Sequence, residues 1–168
     1  MILKYILAAL LYLGTMRCPA QSKKMQPITK NNMSVSWKIE GAFLHVSMSS
    51  PNQGWVAVGF NTADQLVGTN LIMAAVEKGK AVLSDRYIVA VGDHRSVADL
   101  GSRPTAKLVE GYENEQGTHI TFSIPLKTMD KFHHVLEDGK TYYLLMAYSM
   151  EDDFQHHSMM RTSVMIRL

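Results

Sequence analysis

Cysteine is nearly absent from this chain. Its 168 residues include one cysteine, Cys18, which lies close to the start of the sequence. If residues 1–20 are removed on export, the remaining chain has no thiol, and disulfide bonds and thiolate metal sites are excluded. Any metal ion would then have to be held by histidine, methionine or carboxylate side chains.

An excess of charge of one sign is also lacking. The formal net charge is +2, and Lys4 and Arg17 lie in the segment that we expect to be removed, so the mature chain is neutral (2 − 2 = 0). No basic stripe runs along the sequence, and we therefore expect no nucleic-acid partner. The glycine-rich phosphate loop and the GxSxG, HExxH and CxxC motifs are missing too. These absences indicate that the protein is not an enzyme acting alone.

Residues 1–20 have the three-part layout of a secretory signal. Lys4 supplies the positive start, residues 5–16 form an apolar run, and Cys18 and Ala20 are small residues at the two positions that signal peptidase recognises. The apolar run is too short to span a bilayer. We predict cleavage after Ala20 and a secreted or periplasmic protein whose mature chain has no transmembrane segment.

Short alternating runs of apolar and polar residues fill the chain after a polar leader. The leader, residues 21–32, is predicted to be flexible. From Met33 onward, runs rich in Val, Ile, Thr, Tyr and Phe are separated by turn residues at intervals of roughly ten residues. This pattern is typical of one all-β domain, a sandwich or a barrel, over residues 33–168. The predicted strands are 33–39, 42–48, 54–60, 69–76, 81–91, 107–113, 118–126, 140–150 and 161–168.

One stretch departs from the strand pattern. Residues 126–136, LKTMDKFHHVL, contain Asp130 as a helix start signal, and Gly139 follows their end. This predicts one short helical turn near 127–136. The longest segment without a strand signal, 92–104, is predicted to be a loop, and loops of that length are often functional.

The candidate metal ligands cluster near the C-terminal end. His156, His157, Met159 and Met160 lie between the last two predicted strands. Imidazole and thioether groups are ligands that suit copper and haem iron. In an extended segment neighbouring side chains point to opposite faces, so the two histidines would not enter the same pocket. A Cu(I) site made of these four residues is one hypothesis, and a solvated loop is the other.

A series of short motifs, taken in order, resembles the DOMON domain. This module occurs beside the copper domains of dopamine β-monooxygenase-like proteins and in secreted cytochromes. The resemblance spans about residues 33–168, and the order and spacing of the motifs carry it. The motifs are Gly54-Trp55-Val56-Ala57-Val58-Gly59-Phe60, Gly68-Thr69-Asn70, Asp85-Arg86-Tyr87, Thr121-Phe122-Ser123 with Pro125-Leu126, the strand from Gly139 to Tyr148, and His157 with Arg161.

The resemblance implies an immunoglobulin-like antiparallel β-sandwich with a ligand pocket between its sheets or at one end. Some members of the family bind haem b, and others are described as sugar-binding. In the haem-binding members one axial ligand is a methionine just before the Gly-Thr-Asn-type segment, and the other is a histidine near the C-terminal end. The histidine corresponds to His157. The methionine position holds Leu66, which cannot ligate iron, and the acidic residue usual after the Gly-Thr pair is Asn70.

We therefore expect an exported ligand-binding module of DOMON type, with haem b bound through His157 for redox chemistry or haem handling. The alternatives are a carbohydrate- or protein-binding sandwich without a cofactor, and Cu(I) binding by residues 156–160. The partner would be a small ligand, haem or sugar, or an extracytoplasmic protein. The residues expected to line the ligand pocket are Trp55, Asn70, Tyr87 and Arg161.

Overall fold

Two packed antiparallel sheets make up the protein. The computed structural model describes residues 27–168, and all of its regular elements are strands. The expected antiparallel β-sandwich is confirmed, and within the described residues no helix is present that could cross a membrane. The strands are β1 (Ile28–Lys30), β2 (Met33–Glu40), β3 (Phe43–Ser49), β4 (Val56–Asn61), β5 (Asn70–Glu77), β6 (Lys80–Ala90), β7 (Asp93–Ser96), β8 (Lys107–Asn114), β9 (Gly117–Pro125), β10 (Thr141–Tyr148) and β11 (Met160–Arg167).

The strands divide into a five-stranded sheet and a six-stranded sheet. The five-stranded sheet has the order β1-β2-β3-β9-β8, and the six-stranded sheet has the order β11-β10-β4-β5-β6-β7. Every pairing between neighbouring strands is antiparallel. The edge strands are therefore β1 and β8 in one sheet and β11 and β7 in the other.

The five-stranded sheet has one apolar face and one polar face. Along β2, Met33, Val35 and Trp37 are buried and point into the sandwich, whereas Ser34 and Ser36 between them point outward. The period-2 alternation of the sequence thus places every second residue in the core. This is the pattern from which the strand could be predicted.

The six-stranded sheet is apolar on both faces at its centre. All six residues of β4 and seven of the eight residues of β5 are buried. Val56, Val58 and Phe60 point towards the five-stranded sheet, and the residues between them face the other way. A second group of buried side chains therefore lies outside the sandwich proper. We call this group the outer-face cluster, and its buried members are Trp55, Ala57, Leu71, Met73, Ala75, Ile88, Leu145 and Ala147.

Three local expectations are corrected by the structure. The helical turn near 127–136 is not formed, because the Asp130 carboxylate accepts a hydrogen bond from the Phe132 backbone N–H at 2.8 Å and closes a side-chain-capped turn instead. The end of the leader forms β1, which pairs with β2, and the loop predicted at 92–104 contains β7. The signal segment and residues 21–26 lie outside the described residues.

We expect Gly117→Ala to reduce the free energy of unfolding by about 4 kcal/mol, because a disallowed backbone conformation and a steric clash combine. Gly117 has φ +112°, and an added Cβ would collide with the Ser50 carbonyl oxygen. Gly41 is the matched control: its φ is +60° and nothing lies within 4 Å of an added Cβ. Gly41→Ala should cost only about 1–2 kcal/mol. Urea denaturation of both variants measures the difference in their free energies of unfolding. Equal losses would contradict the steric clash assigned to Gly117.

Candidate ligand-binding site

The middle of the outer-face cluster is built from very small residues. Ala57 on β4 lies opposite Met73 on β5 and Ala147 on β10, and Gly59 lies opposite Leu71 and Leu145. Residues directly opposite each other in an antiparallel pair point to the same face. The face therefore has little side-chain bulk at Ala57 and Ala147, whereas the Thr69 side chain fills the space over Gly59, and larger apolar side chains lie around them. Such a surface would be exposed to water if nothing covered it.

The loop 62–69 supplies the first part of the cover. Asn61 organises it: its side-chain amide donates to the Gln65 carbonyl at 3.1 Å and to the Thr69 hydroxyl at 3.0 Å. Its side-chain oxygen accepts from the backbone N–H groups of Thr62 and Ala63, at 2.7 and 3.2 Å. These bonds fix a loop in which Leu66 packs against the outer-face cluster.

The loop 149–159 supplies the second part. Its ends are held by backbone hydrogen bonds of 2.9 Å, from Trp55 N–H to the Glu151 carbonyl and from Met159 N–H to the Tyr148 carbonyl. Between these anchors Phe154 packs against the outer-face cluster, while most of its neighbours are exposed. The cover is thus two loops that each contribute one large apolar side chain.

Trp55 carries an unsatisfied polar group under this cover. The residue is 4% exposed, and its indole Nε1 has no hydrogen-bond partner among the described residues. A buried N–H without an acceptor costs about 1–3 kcal/mol. An acceptor group on a bound ligand would remove that cost. The indole of Trp37, in the core between the sheets, is unpaired in the same way, so the Trp55 N–H is available to a ligand acceptor on this face but does not by itself require one.

The space that remains beside Leu66 is small. A cavity of about 130 Å³ lies there, between the loop 62–69 and the strands β10 and β11. Pockets for cofactors and drug-sized ligands usually measure roughly 300–1,000 Å³. With both loops closed, the site has no room for a macrocycle. The cavity is lined by Asn61, Asp64, Gln65, Leu66, Thr69, Tyr143, Leu145 and Ser163.

The histidine and methionine cluster of the C-terminal loop does not converge on one point. His156 and His157 are exposed, and their hydrogen bonds within the described residues are made by the backbone: the His156 N–H donates to the Asp153 carbonyl at 2.9 Å, and the His157 carbonyl accepts from the Ser149 hydroxyl at 3.2 Å. Met159 is exposed and its sulfur accepts a hydrogen bond from Asn52, whereas Met160 is buried in the core between the sheets. The four-residue Cu(I) hypothesis is corrected on this point, since successive residues of a strand point to opposite faces.

The other residues expected in the pocket divide into two pairs. Trp55 and Arg161 belong to the outer side of the six-stranded sheet, where Arg161 lies opposite Ala147 and is exposed. Asn70 and Tyr87 lie opposite each other near the end of the sandwich and not on the outer face. The expectation that all four line one pocket is therefore wrong. The strand register puts Asn70 and Tyr87 on the face of the sheet opposite to Trp55 and Arg161.

Asn70 takes part in a buried polar network that was not predicted from the sequence. Its amide donates to Asp85 at 2.9 Å, and the other Asp85 oxygen lies 3.0 Å from His133 Nε2. His133 Nδ1 lies 2.8 Å from Asp130. The backbone N–H of Thr105 also donates to Asp85, at 2.7 Å. The i, i+3 spacing of Asp130 and His133 was the sequence signal that could have indicated this network.

The network holds one imidazole between two carboxylates at the end of the sandwich. The side chains of His133 and Asp85 are 3% and 0% exposed. Burial by itself lowers the pKa of His133, but hydrogen bonds to Asp85 and Asp130 outweigh it and raise the pKa above its usual value. Burial by itself raises the pKa of Asp85, but hydrogen bonds from His133, Thr105 and Asn70 hold the pKa below its usual value. The ionised pair is therefore the favoured state, and it ties the loops 97–106 and 126–136 to β6.

The opposite pKa shifts predict a stability optimum in mildly acidic solution. The raised pKa of His133 contributes stability that is complete below about pH 6.5 and is lost as pH rises through the folded-state value. The lowered pKa of Asp85 contributes stability that is complete above about pH 4 and is lost as pH falls through its folded-state value. The free energy of unfolding should therefore be largest between roughly pH 4 and 6.5.

His133→Asn should remove the decline on the alkaline side and cost about 3 kcal/mol at pH 6, because it leaves Asp85 as a buried carboxylate without its cation. The measurement is urea denaturation at a series of pH values. His45→Asn is the control, since His45 lies on the outer face of the five-stranded sheet, away from the network. A wild-type stability that rises steadily from pH 6 to 9 would contradict the proposed ionisation.

Comparison with known proteins finds a family model and a relative that are similar to this chain. The family model described as "DOMON domain" matches residues 29–149. The chain is 27% identical over 122 residues, 73% of its length, to MOXD1 homolog 2 of Drosophila melanogaster, of which the match covers 16%. The chain thus spans about one sixth of that relative.

Two solved structures have the same fold. The cytochrome b domain of pyranose dehydrogenase from Coprinopsis cinerea superposes with a TM-score of 0.64 at 9% identity, covering 84% of this chain and 80% of that one. The cytochrome domain of cellobiose dehydrogenase from Myriococcum thermophilum superposes with a TM-score of 0.59 at 9% identity, covering 85% and 81%. At that identity the likeness concerns the fold alone.

Proposed function

Because the chain belongs to the DOMON family, we propose that it is a binding module whose outer-face cluster receives haem b, with His157 as the one side chain that would bind its iron. The observation that carries the proposal is the apolar outer face, which is closed by two loops and contains the unpaired indole N–H of Trp55. His157 supports it because its imidazole is exposed on the loop that forms half of the cover. The cytochrome domains that share the fold support haem as the ligand class.

The residues present fit a haem with one protein ligand. Once the cover opens, the small side chains of Ala57 and Ala147 would leave space for part of a flat macrocycle, and apolar neighbours would pack against its rings. Thr69 lies over Gly59 and limits that space on one side. Trp55 offers a donor, and the Arg161 guanidinium offers a cation, for the carboxylates of such a ligand. Leu66, which stands where the family resemblance puts a methionine ligand, has no atom that could bind iron. A six-coordinate site of the Met/His type is therefore not available.

The closed cover determines what these residues can do. Phe154 and Leu66 pack on the face, so binding requires at least one loop to move away. Haem b, when bound, supplies a redox-active iron. With one ligand and a displaceable cover, the chain's residues are suited to taking up and releasing the group, and less suited to holding it rigidly for electron transfer. We assign the isolated domain no reaction of its own.

Titration of the exported chain with hemin, followed by the Soret absorbance, tests the proposal. We expect saturation at one haem per chain. His157→Ala should weaken binding at least about a hundredfold, because loss of a ligand exceeds the roughly 10–100-fold effect of losing a residue that merely orients one. His156→Ala is the matched control, since it removes a neighbouring exposed imidazole from the same loop.

Two further variants test the roles of the two apolar side chains that cover the site. Leu66→Met should tighten binding and shift the spectrum towards six-coordinate iron, because it supplies a thioether where the leucine packs. Phe154→Ala should also tighten binding, since it weakens the cover that haem must displace. A flat titration of the wild-type chain, or equal affinity of the His157 and His156 variants, would rule out this assignment.

A second candidate function, carbohydrate binding without a cofactor, is favoured by a cavity on the opposite side of the molecule. The outer face of the five-stranded sheet holds a cavity of about 220 Å³, lined by Ser34, Ser36, Ser47, Ser49, Thr121, Glu110, Tyr112 and His119, with Pro27, Met48 and Ile120. The register aligns Ser36, Ser47, Thr121 and Glu110 in one row across four strands. Tyr112 stacks on His119 with ring centroids 4.9 Å apart, which offers an aromatic surface beside the hydroxyl groups.

Binding of neutral oligosaccharides at this cavity should depend on Tyr112. In NMR titrations we expect the shift changes to map to β2, β3 and β9, and Tyr112→Ala to abolish them. Val109→Ala, an exposed neighbour on the same strand, should leave them intact. Shift changes at the outer-face cluster instead would refute this location.

A further inference from the structure

We propose that Asn32 is the acceptor of an N-linked glycan, so that the mature protein carries one oligosaccharide at the turn between β1 and β2. This inference is independent of which ligand the sandwich binds. It rests on a sequence motif, on the geometry of a turn, and on the export signal predicted for residues 1–20. The motif and the turn are observed independently of each other, and the export signal is a prediction from residues 1–20.

The motif is Asn32-Met33-Ser34. An asparagine followed two positions later by serine or threonine, with any residue except proline between them, is the acceptor signal for N-glycosylation of exported proteins. The sequence contains six asparagines, and Asn32 is the one with a hydroxyl residue at the second position after it. The other five are Asn31, Asn52, Asn61, Asn70 and Asn114.

The structure puts this asparagine where a glycan can be tolerated. β1 and β2 are joined by two residues, Asn31 and Asn32, with φ of +47° and +64°. Positive φ at both positions is the geometry of a type I′ hairpin turn, in which asparagine is favoured. Asn32 is exposed, whereas Met33 directly after it is 0% exposed. The turn thus separates the acceptor, which faces solvent, from a residue that is fixed in the core.

The turn alone explains why an asparagine stands here, but it does not explain the serine. Ser34 lies on the outer face of the sheet, where its hydroxyl pairs with Thr29 at 2.8 Å, and this contact is between exposed groups. Such a hydrogen bond contributes little to stability, about 1 kcal/mol or less. A hydroxyl residue at position 34 is needed for the acceptor motif and not for the hairpin.

The transfer is balanced without any redox step. The Asn32 side-chain nitrogen forms a bond to the anomeric carbon of a lipid-linked oligosaccharide and loses one proton. The bond between that carbon and the diphosphate of the lipid carrier breaks, and the lipid diphosphate leaves. In the folded hairpin the Ser34 hydroxyl is engaged with Thr29, so the transfer takes place on the nascent chain before β1 pairs with β2.

The glycan leaves the outer-face cluster accessible, whereas it would lie near the Ser34 end of the cavity on the five-stranded sheet. Asn32 lies at the tip of a hairpin on the edge of the five-stranded sheet, while the outer-face cluster belongs to the six-stranded sheet. Nothing in the core would have to move to accommodate the sugar, because the acceptor side chain is already outside it. The described residues show no hydrogen bond to the Asn32 side chain that the linkage would break.

Expression of the full chain, with residues 1–20 intact, in a eukaryotic secretory host tests the proposal. We expect the secreted protein to lose mass in one step on treatment with peptide N-glycosidase, and peptide mass spectrometry to find aspartate at position 32 afterwards. Asn32→Gln and Ser34→Ala should both abolish this step. Ser34→Thr should retain it, which separates the motif from the loss of the serine as such.

Asn31→Gln is the matched control for the turn. It strains the same hairpin without touching the motif, so the glycan should remain on Asn32. If the secreted chain has no glycosidase-sensitive form while a co-expressed secreted glycoprotein does, the proposal is wrong. Retention of the chain in the cytosol, with its first twenty residues uncleaved, would overturn it as well.

Discussion

A sheet that is apolar on both faces imposes the organisation of this protein. The backbone groups of β4 and β5 are satisfied within the six-stranded sheet, so each face needs only apolar contact to be stable. The five-stranded sheet covers one face, and Leu66 and Phe154 cover part of the other. A ligand that binds on the outer side must replace some of that cover. Its measured affinity therefore reports the difference between two sets of contacts, with the ligand and with the protein's own loops.

The two loops of the cover differ in how their hydrogen bonds attach them to the sheet. Asn61 fixes the loop 62–69 through hydrogen bonds to several of its backbone groups. The loop 149–159 is anchored at its ends, and most of the residues between are exposed. Opening should therefore begin in the second loop, because fewer contacts are lost there. That loop carries His157, so the segment that moves away is the one that would contact the ligand.

The strands could be predicted from the sequence because their signal is local. In β2 every second residue faces the core, and the alternation is visible without knowledge of the rest of the chain. Two of the errors involve residues that are far apart in the sequence. His133 is bonded to Asp85, which is 48 residues away, and this pairing together with the turn at Asp130 prevents the expected helical turn. The separation of Met160 from its neighbours depends on the register of β10 with β11, which no local pattern reveals. The periodicity of apolar residues indicates local structure, but it does not indicate which distant residues pair with each other.

The edges of both sheets are poor templates for self-association. β1 has three residues and β7 has four, and β8 is interrupted by a bulge between Leu108 and Glu110. β11 is longer, but it carries exposed arginines, Arg161 and Arg167, near its two ends. Short, bulged and charged edges hinder the addition of strands from another molecule. A protein built in this way can accumulate at high concentration without forming fibrils through its sheet edges.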